Sequence, residues 1–236
     1  MEIELKCGSI KAIVDSQGAY LLSLSDNTGD ILFPKKELKA LDGAVKQRGG
    51  CHVCLPNFGP GGTSGQPQHG FGRMAVWEVG DRTDDSILRV LREGTGGYHD
   101  MESIVTYQLS EGTLTMTLEV VNHGESVLRV APAFHPYFAT NGDVPIKLNG
   151  KDQKLGHLAE AIFFEGNEHV LKLPSRTFTL MSEALPMWVK WTDQLGEYIC
   201  IEPSQNGFSF LKDIPDTAEL LEAGASKVYS MCMTWN

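Results

Sequence analysis

The sequence contains no apolar run long enough to cross a membrane. A membrane-spanning helix needs about 20 consecutive apolar residues, and no run of about 18 occurs in this chain. Residues 1–6 show neither the basic flank nor the apolar stretch of a secretory signal peptide. We therefore expect a cytoplasmic protein that does not associate with membranes.

Positive charge is scarce. Twenty lysines and arginines stand against thirty aspartates and glutamates, and the formal net charge is −10. Proteins that bind nucleic acid or anionic membranes carry clustered positive charge, so this balance excludes a general affinity for either partner. An anionic small molecule would have to be held by individual arginines.

Cysteines are few and odd in number. The five lie at positions 7, 51, 54, 200 and 232, a scatter that favours a reducing compartment over a disulfide framework. Cys51 and Cys54 have the spacing of a redox or zinc half-site, but no second pair accompanies them, and structural zinc takes four ligands. We expect both to be small, buried, apolar residues.

Helical periodicity is nearly missing, whereas alternation with a period of two residues recurs. Apolar residues occupy every second position from Leu114 to Val120, and a similar pattern precedes the turn at 110–112. These patterns predict an antiparallel hairpin over 103–121. Other strands are predicted at 9–14, 19–24, 76–80, 86–92, 127–131, 161–164, 170–173, 177–180, 198–202 and 227–235.

Helices are predicted only at 34–41 and 217–223. Many short strands without strand–helix alternation predict an all-β fold, a large antiparallel β-sandwich. The chain length of 236 residues fits a single domain over 1–236.

Residues 48–73 differ from the rest, with eight glycines, three prolines and little periodicity. Long glycine-rich segments in compact domains tend to be functional. Arg48 and Arg73 flank this segment, and a guanidinium can hold a phosphate through two hydrogen bonds. His69 lies near its end.

Two further residues carry chemistry. His135 sits among aromatic residues and a proline in 134–138 (FHPYF), and Glu202 directly follows the apolar run 199–201. A charge is unfavourable after such a run unless it is paired or used. Imidazole and carboxylate groups move protons near neutral pH.

Several short motifs together resemble the aldose 1-epimerase (mutarotase) family, and most of all its hexose-6-phosphate 1-epimerase branch. In chain order they are 48–50 (RGG), 56–59 (PNFG), 69–73 (HGFGR), 134–138 (FHPYF), 202–203 (EP) and 224–226 (GAS). The resemblance implies a galactose mutarotase-like supersandwich with a cleft on its concave face and no cofactor. It implies His135 as the acid, Glu202 as the base and His69 as a substrate-binding residue. It would also place Arg48 and Arg73 at a sugar phosphate.

The chemistry of anomer exchange fits these roles. Opening a cyclic hemiacetal requires a proton for the ring oxygen and removal of the proton on O1, and closure on the other face reverses both transfers. Histidine has an ordinary pKa of ~6.5, and burial can raise the pKa of a glutamate toward neutrality. We therefore expect His135 and Glu202 to face each other across one sugar-sized hollow.

Other interpretations remain open. Two histidines and a carboxylate could bind iron or zinc, although hemiacetal opening needs no Lewis acid. A non-catalytic carbohydrate-binding protein could share the fold, and a glycoside-cleaving enzyme would normally need two catalytic carboxylates. The four tryptophans could stack on a sugar, but packing is their ordinary role.

One departure from the family concerns its usual sugar-binding aspartate. No aspartate between Asn141 and Trp188 matches it, and Asp152 and Asp193 are poor candidates. The sequence thus leaves the sugar open, as it does the oligomeric state.

Overall fold

A computed structural model describes residues 1–142, 144–211 and 217–236. The strands are numbered here in chain order: β1 (Glu2–Cys7), β2 (Ile10–Asp15), β3 (Leu21–Asp26), β4 (Gly29–Leu32), β5 (Lys36–Lys39), β6 (Val45–Arg48), β7 (Val53–Cys54), β8 (Glu78–Arg82), β9 (Ser86–Leu91), β10 (Met101–Ser110), β11 (Thr113–Asn122), β12 (Leu128–Val130), β13 (Ala133–Phe134), β14 (Tyr137–Ala139), β15 (Ile146–Leu148), β16 (Lys151–Gln153), β17 (Ile162–Glu165), β18 (Glu168–Lys172), β19 (Thr177–Glu183), β20 (Met187–Trp191), β21 (Tyr198–Ser204), β22 (Glu219–Leu221) and β23 (Ser226–Trp235). Short 3₁₀ turns occupy Gly62–Ser64, Gly72–Met74, Gly96–Tyr98 and Leu155–His157.

Two large sheets contain most of these strands. The first runs β1-β2-β3-β4-β14-β21-β13-β7, and β20 and then β17 extend it from β21. The second runs β16-β15-β18-β19-β23-β11-β10-β9-β8. The predicted all-β class with antiparallel sheets is confirmed. Among the described residues, no helix has the length and apolar character needed to cross a bilayer.

The strongest sequence pattern forms the centre of the second sheet. β10 and β11 pair in a hairpin whose closing pair is Ser110 and Thr113, as the alternation predicts. Every second side chain of β11 is buried, and β23 pairs with β11 along nearly its whole length.

The core lies between the two sheets. Phe134, Phe138 and Ile201 enter it from the first sheet, and Met116 and Phe178 enter it from the second. The rings of Phe138 and Phe178 meet edge to face, with their centroids 5.0 Å apart. Burial of these apolar side chains is the main force that holds the layers together.

Both helix predictions are wrong. Residues 34–41 contain β5, which forms a hairpin with β6, and residues 217–223 contain β22, which pairs with β12. Helices of about eight residues are marginal in water without tertiary packing, because nucleation is costly. A strand partner a few residues away satisfies the backbone of β5 instead.

An ion pair at the end of the sandwich joins the two sheets. The Arg176 guanidinium, just before β19, donates to Asp26 in β3 at 3.0 Å and also to Thr28. Burial alone would raise the pKa of Asp26, but the hydrogen bonds from Thr28 and Arg176 lower it to about 2. Both paired side chains are largely shielded from water.

We expect Arg176→Met to reduce the free energy of unfolding by about 2–4 kcal/mol, because it leaves the shielded Asp26 carboxylate without its partner. The contribution is present above the unfolded pKa of aspartate and disappears as the pH falls toward 2. Urea unfolding at pH 7 and pH 2.5 measures both effects. Asp26→Asn in the Arg176→Met background should recover part of the loss. An unchanged midpoint at pH 7 would contradict the assigned role.

Candidate active site

A pocket of about 710 Å³ opens on the outer face of the first sheet. Its volume suits a small ligand such as a monosaccharide. All five residues singled out in the sequence line it: His69, His135, Glu202, Arg48 and Arg73. The glycine-rich segment 48–73 supplies much of its wall, together with β14, β20 and β21.

Strand register brings His135 and Glu202 together. In β13, Ala133 is opposite Ser204 of β21, and in β14, Tyr137 is opposite Cys200. The same register carried through the gap between β13 and β14 sets His135 opposite Glu202. Directly opposed residues of antiparallel strands project from the same face.

Alternation explains why this face is the outer one. Phe134 and Ile201 point into the core between the sheets, so their neighbours His135 and Glu202 point the other way. In the apolar run before Glu202, Ile199 and Ile201 thus pack in the core, while the Glu202 carboxylate points into the pocket.

The two groups are in direct contact at the pocket floor. His135 Nε2 lies 3.4 Å from Glu202 Oε2, and the residues are 5% and 1% exposed. We expected them to face each other across the hollow, and this was wrong, because cross-strand neighbours lie side by side. Both residues line the same pocket.

Burial sets the protonation state of the pair. It raises the pKa of Glu202 well above the ordinary value of 4.5. It lowers the pKa of His135 well below 6.5, and the neighbouring His69, Arg73 and Arg48 lower it further. Both shifts favour the uncharged forms, so they favour the proton on the Glu202 carboxyl group over the proton on the His135 ring.

His69 sits in a strained turn that the neighbouring glycine permits. His69 has φ 60° and Gly70 has φ 69°, and a Cβ on Gly70 would lie 2.0 Å from the Leu55 carbonyl oxygen. The Gly59 N–H donates to His69 Nδ1 at 3.2 Å, which leaves the ring proton on Nε2, 3.4 Å from the side-chain amide of Gln68. Burial, with Arg73 and Arg48, lowers the pKa of His69 to about 3. His69 is thus a neutral N–H donor.

Arg48 is fixed from two sides. Its Nε donates to Asp193 Oδ2 at 2.8 Å, and its guanidinium lies 5.5 Å from the centre of the Trp191 ring. Asp193 also accepts from the Tyr198 hydroxyl. The aspartate that was a poor candidate for sugar binding orients Arg48 here. Asp152 is exposed beside Lys147.

Arg73 contrasts with Arg48. Its buried Nε has no hydrogen-bond partner in the described part of the chain, although the residue lines the pocket. Lys35 lies in the same wall, with its Nζ 4.0 Å above the Tyr20 ring. The pocket therefore offers cationic groups that a ligand anion could engage.

Sequence reasoning missed several lining residues, most importantly His52, which stacks on His135 at 4.8 Å between ring centroids. Tyr20, Lys35 and Glu160 are among the others, and of the four tryptophans only Trp191 is found in the lining given by the described residues. His52 lies within the CxxC motif, whose two cysteines are buried with free thiols as expected. A strand over 52–54 would have been a usable signal, because residues two positions apart in a strand share a face and His52 would then lie on the same face as Cys54. Trp77, Trp188 and Trp235 are buried in the core.

One group among the described residues has metal-ligand character. Donor atoms of His135, Cys200 and Glu202 lie within 4.8 Å of one another, and His69 is not part of this set. Burial raises the pKa of the Cys200 thiol and of the Glu202 carboxyl, which favours their uncharged forms over the anions that bind a metal ion. With Arg48 and Arg73 also lining the pocket, the electrostatics suit proton transfer better than a cation.

Solved structures identify the fold. The galactose mutarotase related enzyme from Lactobacillus acidophilus matches all of this chain and 97% of its own, with 18% identity and a TM-score of 0.81. The Slr1438 protein from Synechocystis matches all of this chain and 96% of its own, with 18% identity and a TM-score of 0.82. The protein thus has a galactose mutarotase-like sandwich fold.

Sequence comparison then gives the family. The profile of the family described as Aldose 1-epimerase matches residues 1–162, more than half of the 236 residues. The chain belongs to the aldose 1-epimerase family. The matched part includes His69 and His135, and Glu202 lies beyond it.

Two curated relatives resemble the chain in sequence over part of their length. A Salmonella typhimurium protein named "Putative glucose-6-phosphate 1-epimerase" is 27% identical over 181 residues, which are 71% of this chain and 58% of the relative. The YphB protein of Escherichia coli is 28% identical over 151 residues, which are 61% of this chain and 49% of the relative. The matches span about half to three fifths of these relatives' lengths.

Proposed function

We propose that this protein is a cofactor-free aldose 1-epimerase that interconverts the α and β anomers of a hexose, with hexose 6-phosphate preferred over the free sugar. The observation that carries this proposal is the contact between His135 and Glu202 on the floor of a sugar-sized pocket. A binding protein would not need two adjacent proton-transfer groups, one with its pKa raised by burial and the other with its pKa lowered.

The His135–Glu202 pair gives one proton and takes one proton in each half of the catalytic cycle, so its total number of protons does not change. In the reactive state His135 is protonated and Glu202 is ionised; His135 gives its proton to the ring oxygen, and Glu202 takes the proton from O1. The C1–O5 bond breaks and the open aldehyde forms, leaving neutral His135 and protonated Glu202. This product state is the one that burial favours in the empty site. Rotation about C1–C2 and closure reverse both transfers.

The remaining polar groups would position the sugar. The Nε2–H of neutral His69 can donate to a sugar oxygen, and the flat ring of Trp191 offers an apolar surface to the pyranose. Arg48, oriented by Asp193, and Arg73 would contact the phosphate. The name of the Salmonella relative supports a phosphorylated hexose.

The extent and location of the protein are part of the proposal. The pocket draws Arg48 from the first quarter of the chain and Glu202 from near its end, so we propose that 1–236 act as one domain. All five cysteines carry free thiols, which fits the cytoplasm.

The direct test is exchange of anomers, measured by NMR or polarimetry, for glucose, galactose and their 6-phosphates. The proposal requires acceleration over buffer for at least one aldose, and larger kcat/KM for a 6-phosphate than for its free sugar. Measurable sugar binding without acceleration would favour a carbohydrate-binding protein. Activity retained after exhaustive chelation would rule out an essential metal.

The pH profile should be flat across neutrality. The pair is active with one shared proton, and the second proton adds to His135, whose pKa lies well below 6.5. Loss of the single proton follows the raised pKa of Glu202. We expect kcat/KM at pH 6 to stay within about twofold of its value at pH 7.5. Free and phosphorylated hexoses are compared, because the phosphate titrates near pH ~6. An acid limb centred at or above pH 6.5 on both substrates would contradict this assignment.

A further inference from the structure

His52 is a buried histidine of the pocket that the proposed chemistry does not use. It is 2% exposed and lies beside His135, whose backbone N–H donates to the His52 carbonyl oxygen at 2.9 Å. The register of β7 with β13, in which Phe134 is opposite Val53, places it there. A row across the sheet therefore runs from His52 through His135 to Glu202.

The His52 ring covers one face of the His135 ring. Their centroids are 4.8 Å apart and their planes differ by 22°. The Tyr137 ring also stacks on His135, at 4.8 Å and 14°. His69 and Trp191 meet the His135 ring edge-on, at 5.2 Å and 6.2 Å. The His135 imidazole is thus packed among four rings, two of them stacked on it, and a rotation of its plane would displace them.

A hydrogen-bond chain fixes the orientation of His52. The Tyr20 hydroxyl donates its single proton to the Gly49 carbonyl oxygen at 2.9 Å. His52 Nδ1 lies 3.2 Å from the same hydroxyl, so the imidazole must be the donor there. His52 is therefore the Nδ1–H tautomer, and its buried Nε2 has no partner among the described residues.

We infer that His52 is a positioning residue: its imidazole, oriented by Tyr20, holds the ring of His135 in the plane from which Nε2 reaches Glu202. This inference rests on the proposed epimerase function. His52 touches neither reacting atom in that scheme, and it would act through the geometry and the dryness of the His135 site.

Electrostatics agree with this role. Burial, followed by His135, His69, Arg73 and Lys35, lowers the pKa of His52 well below 6.5, so the His52 ring stays uncharged while His135 cycles. Among the described residues, the titratable and charged groups around His135 include His52, His69, Arg48, Arg73, Tyr137, Cys51, Cys200 and Glu202. Removal of the His52 ring would admit water beside His135 and weaken the burial that keeps His135 neutral.

Three substitutions separate the effect of the His52 ring from that of its hydrogen bond to Tyr20. His52→Gln keeps a donor for Tyr20 but removes the flat ring, and we expect kcat for anomer exchange to fall about tenfold with little change in KM. Its acid limb should move up by about one pH unit. His52→Phe keeps a ring against His135 and should lose much less activity. Tyr20→Phe, the mildest change, should leave all the stacked rings in place and let the His52 proton distribute over both ring nitrogens.

NMR of the imidazoles gives a readout that does not depend on turnover. In wild type, ¹⁵N shifts should show His52 as the Nδ1–H tautomer and His135 as neutral above pH 6.5. The ring pKa of His135 should rise in His52→Gln and rise less in His52→Phe. If His52→Gln matches wild type in kcat, acid limb and His135 titration while remaining folded, the inference is overturned. Absence of activity in the wild type would instead overturn the proposed function, and the His135 titration would still decide the role of His52.

Discussion

Glu202→Gln should lower kcat for anomer exchange by about 10²–10⁴-fold, the usual contribution of a positioned proton-transfer group. Glutamine keeps the size of the side chain and can still hydrogen-bond, but it cannot take the O1 proton. Apart from its 3.4 Å contact with His135 Nε2, Glu202 Oε2 has no hydrogen-bond partner among the described residues, so the substitution removes no hydrogen bond of this oxygen. Substrate affinity should change little, and thermal unfolding should stay near that of wild type.

Three comparisons make this result specific. His135→Asn should lose activity to a similar degree, and the double variant should be little worse than either single one, since both groups act in one proton cycle. Glu165→Gln removes an exposed carboxylate from β17 and should leave kcat unchanged. A folded Glu202→Gln protein within tenfold of wild type would exclude Glu202 as the base.

The sequence predicts the fold best where alternation is long and one face is buried. The hairpin 103–121 and the last strand follow this rule, and their buried residues match the pattern. Short strands such as β13, β14 and β7 have only two or three residues, which is too few for a period to be recognised. Their identity as strands depends on partners far along the chain.

The candidate site shows the same division. Motif resemblance brought the five residues forward, and all of them line one pocket. The contact of His135 with Glu202 could not be predicted, because it depends on the register of β13 and β14 against β21. The sequence does not reveal His52, because it stands between two cysteines whose spacing is typical of metal and redox sites. Its place in the pocket depends on stacking against His135, which is distant in the sequence.

Substitution of Arg73 should separate phosphorylated from free sugars. Hydrogen bonds to charged groups contribute about 1.5–3 kcal/mol, so Arg73→Ala should raise KM for a hexose 6-phosphate about 10–100-fold. The same variant should leave KM for the free hexose nearly unchanged. We expect the Arg73→Ala protein to remain folded, because Arg73 Nε makes no hydrogen bond to the described residues. Arg73→Lys keeps the charge but loses the pair of parallel N–H donors, so its KM for the hexose 6-phosphate should lie between those of wild type and Arg73→Ala.

Arg48 provides the contrast that makes the Arg73 result interpretable. Arg48 is held by Asp193 and lies over Trp191, so Arg48→Ala disturbs the pocket wall itself. It should weaken the binding of both the free and the phosphorylated hexose. Arg73→Ala has a second signature, because Arg73 lowers the pKa values of His69 and His135. Its removal should move the acid limb upward on free hexose, where no phosphate contact is lost. Equal increases in KM for both sugars would place Arg73 at the hexose ring and remove the structural basis for preferring a phosphate.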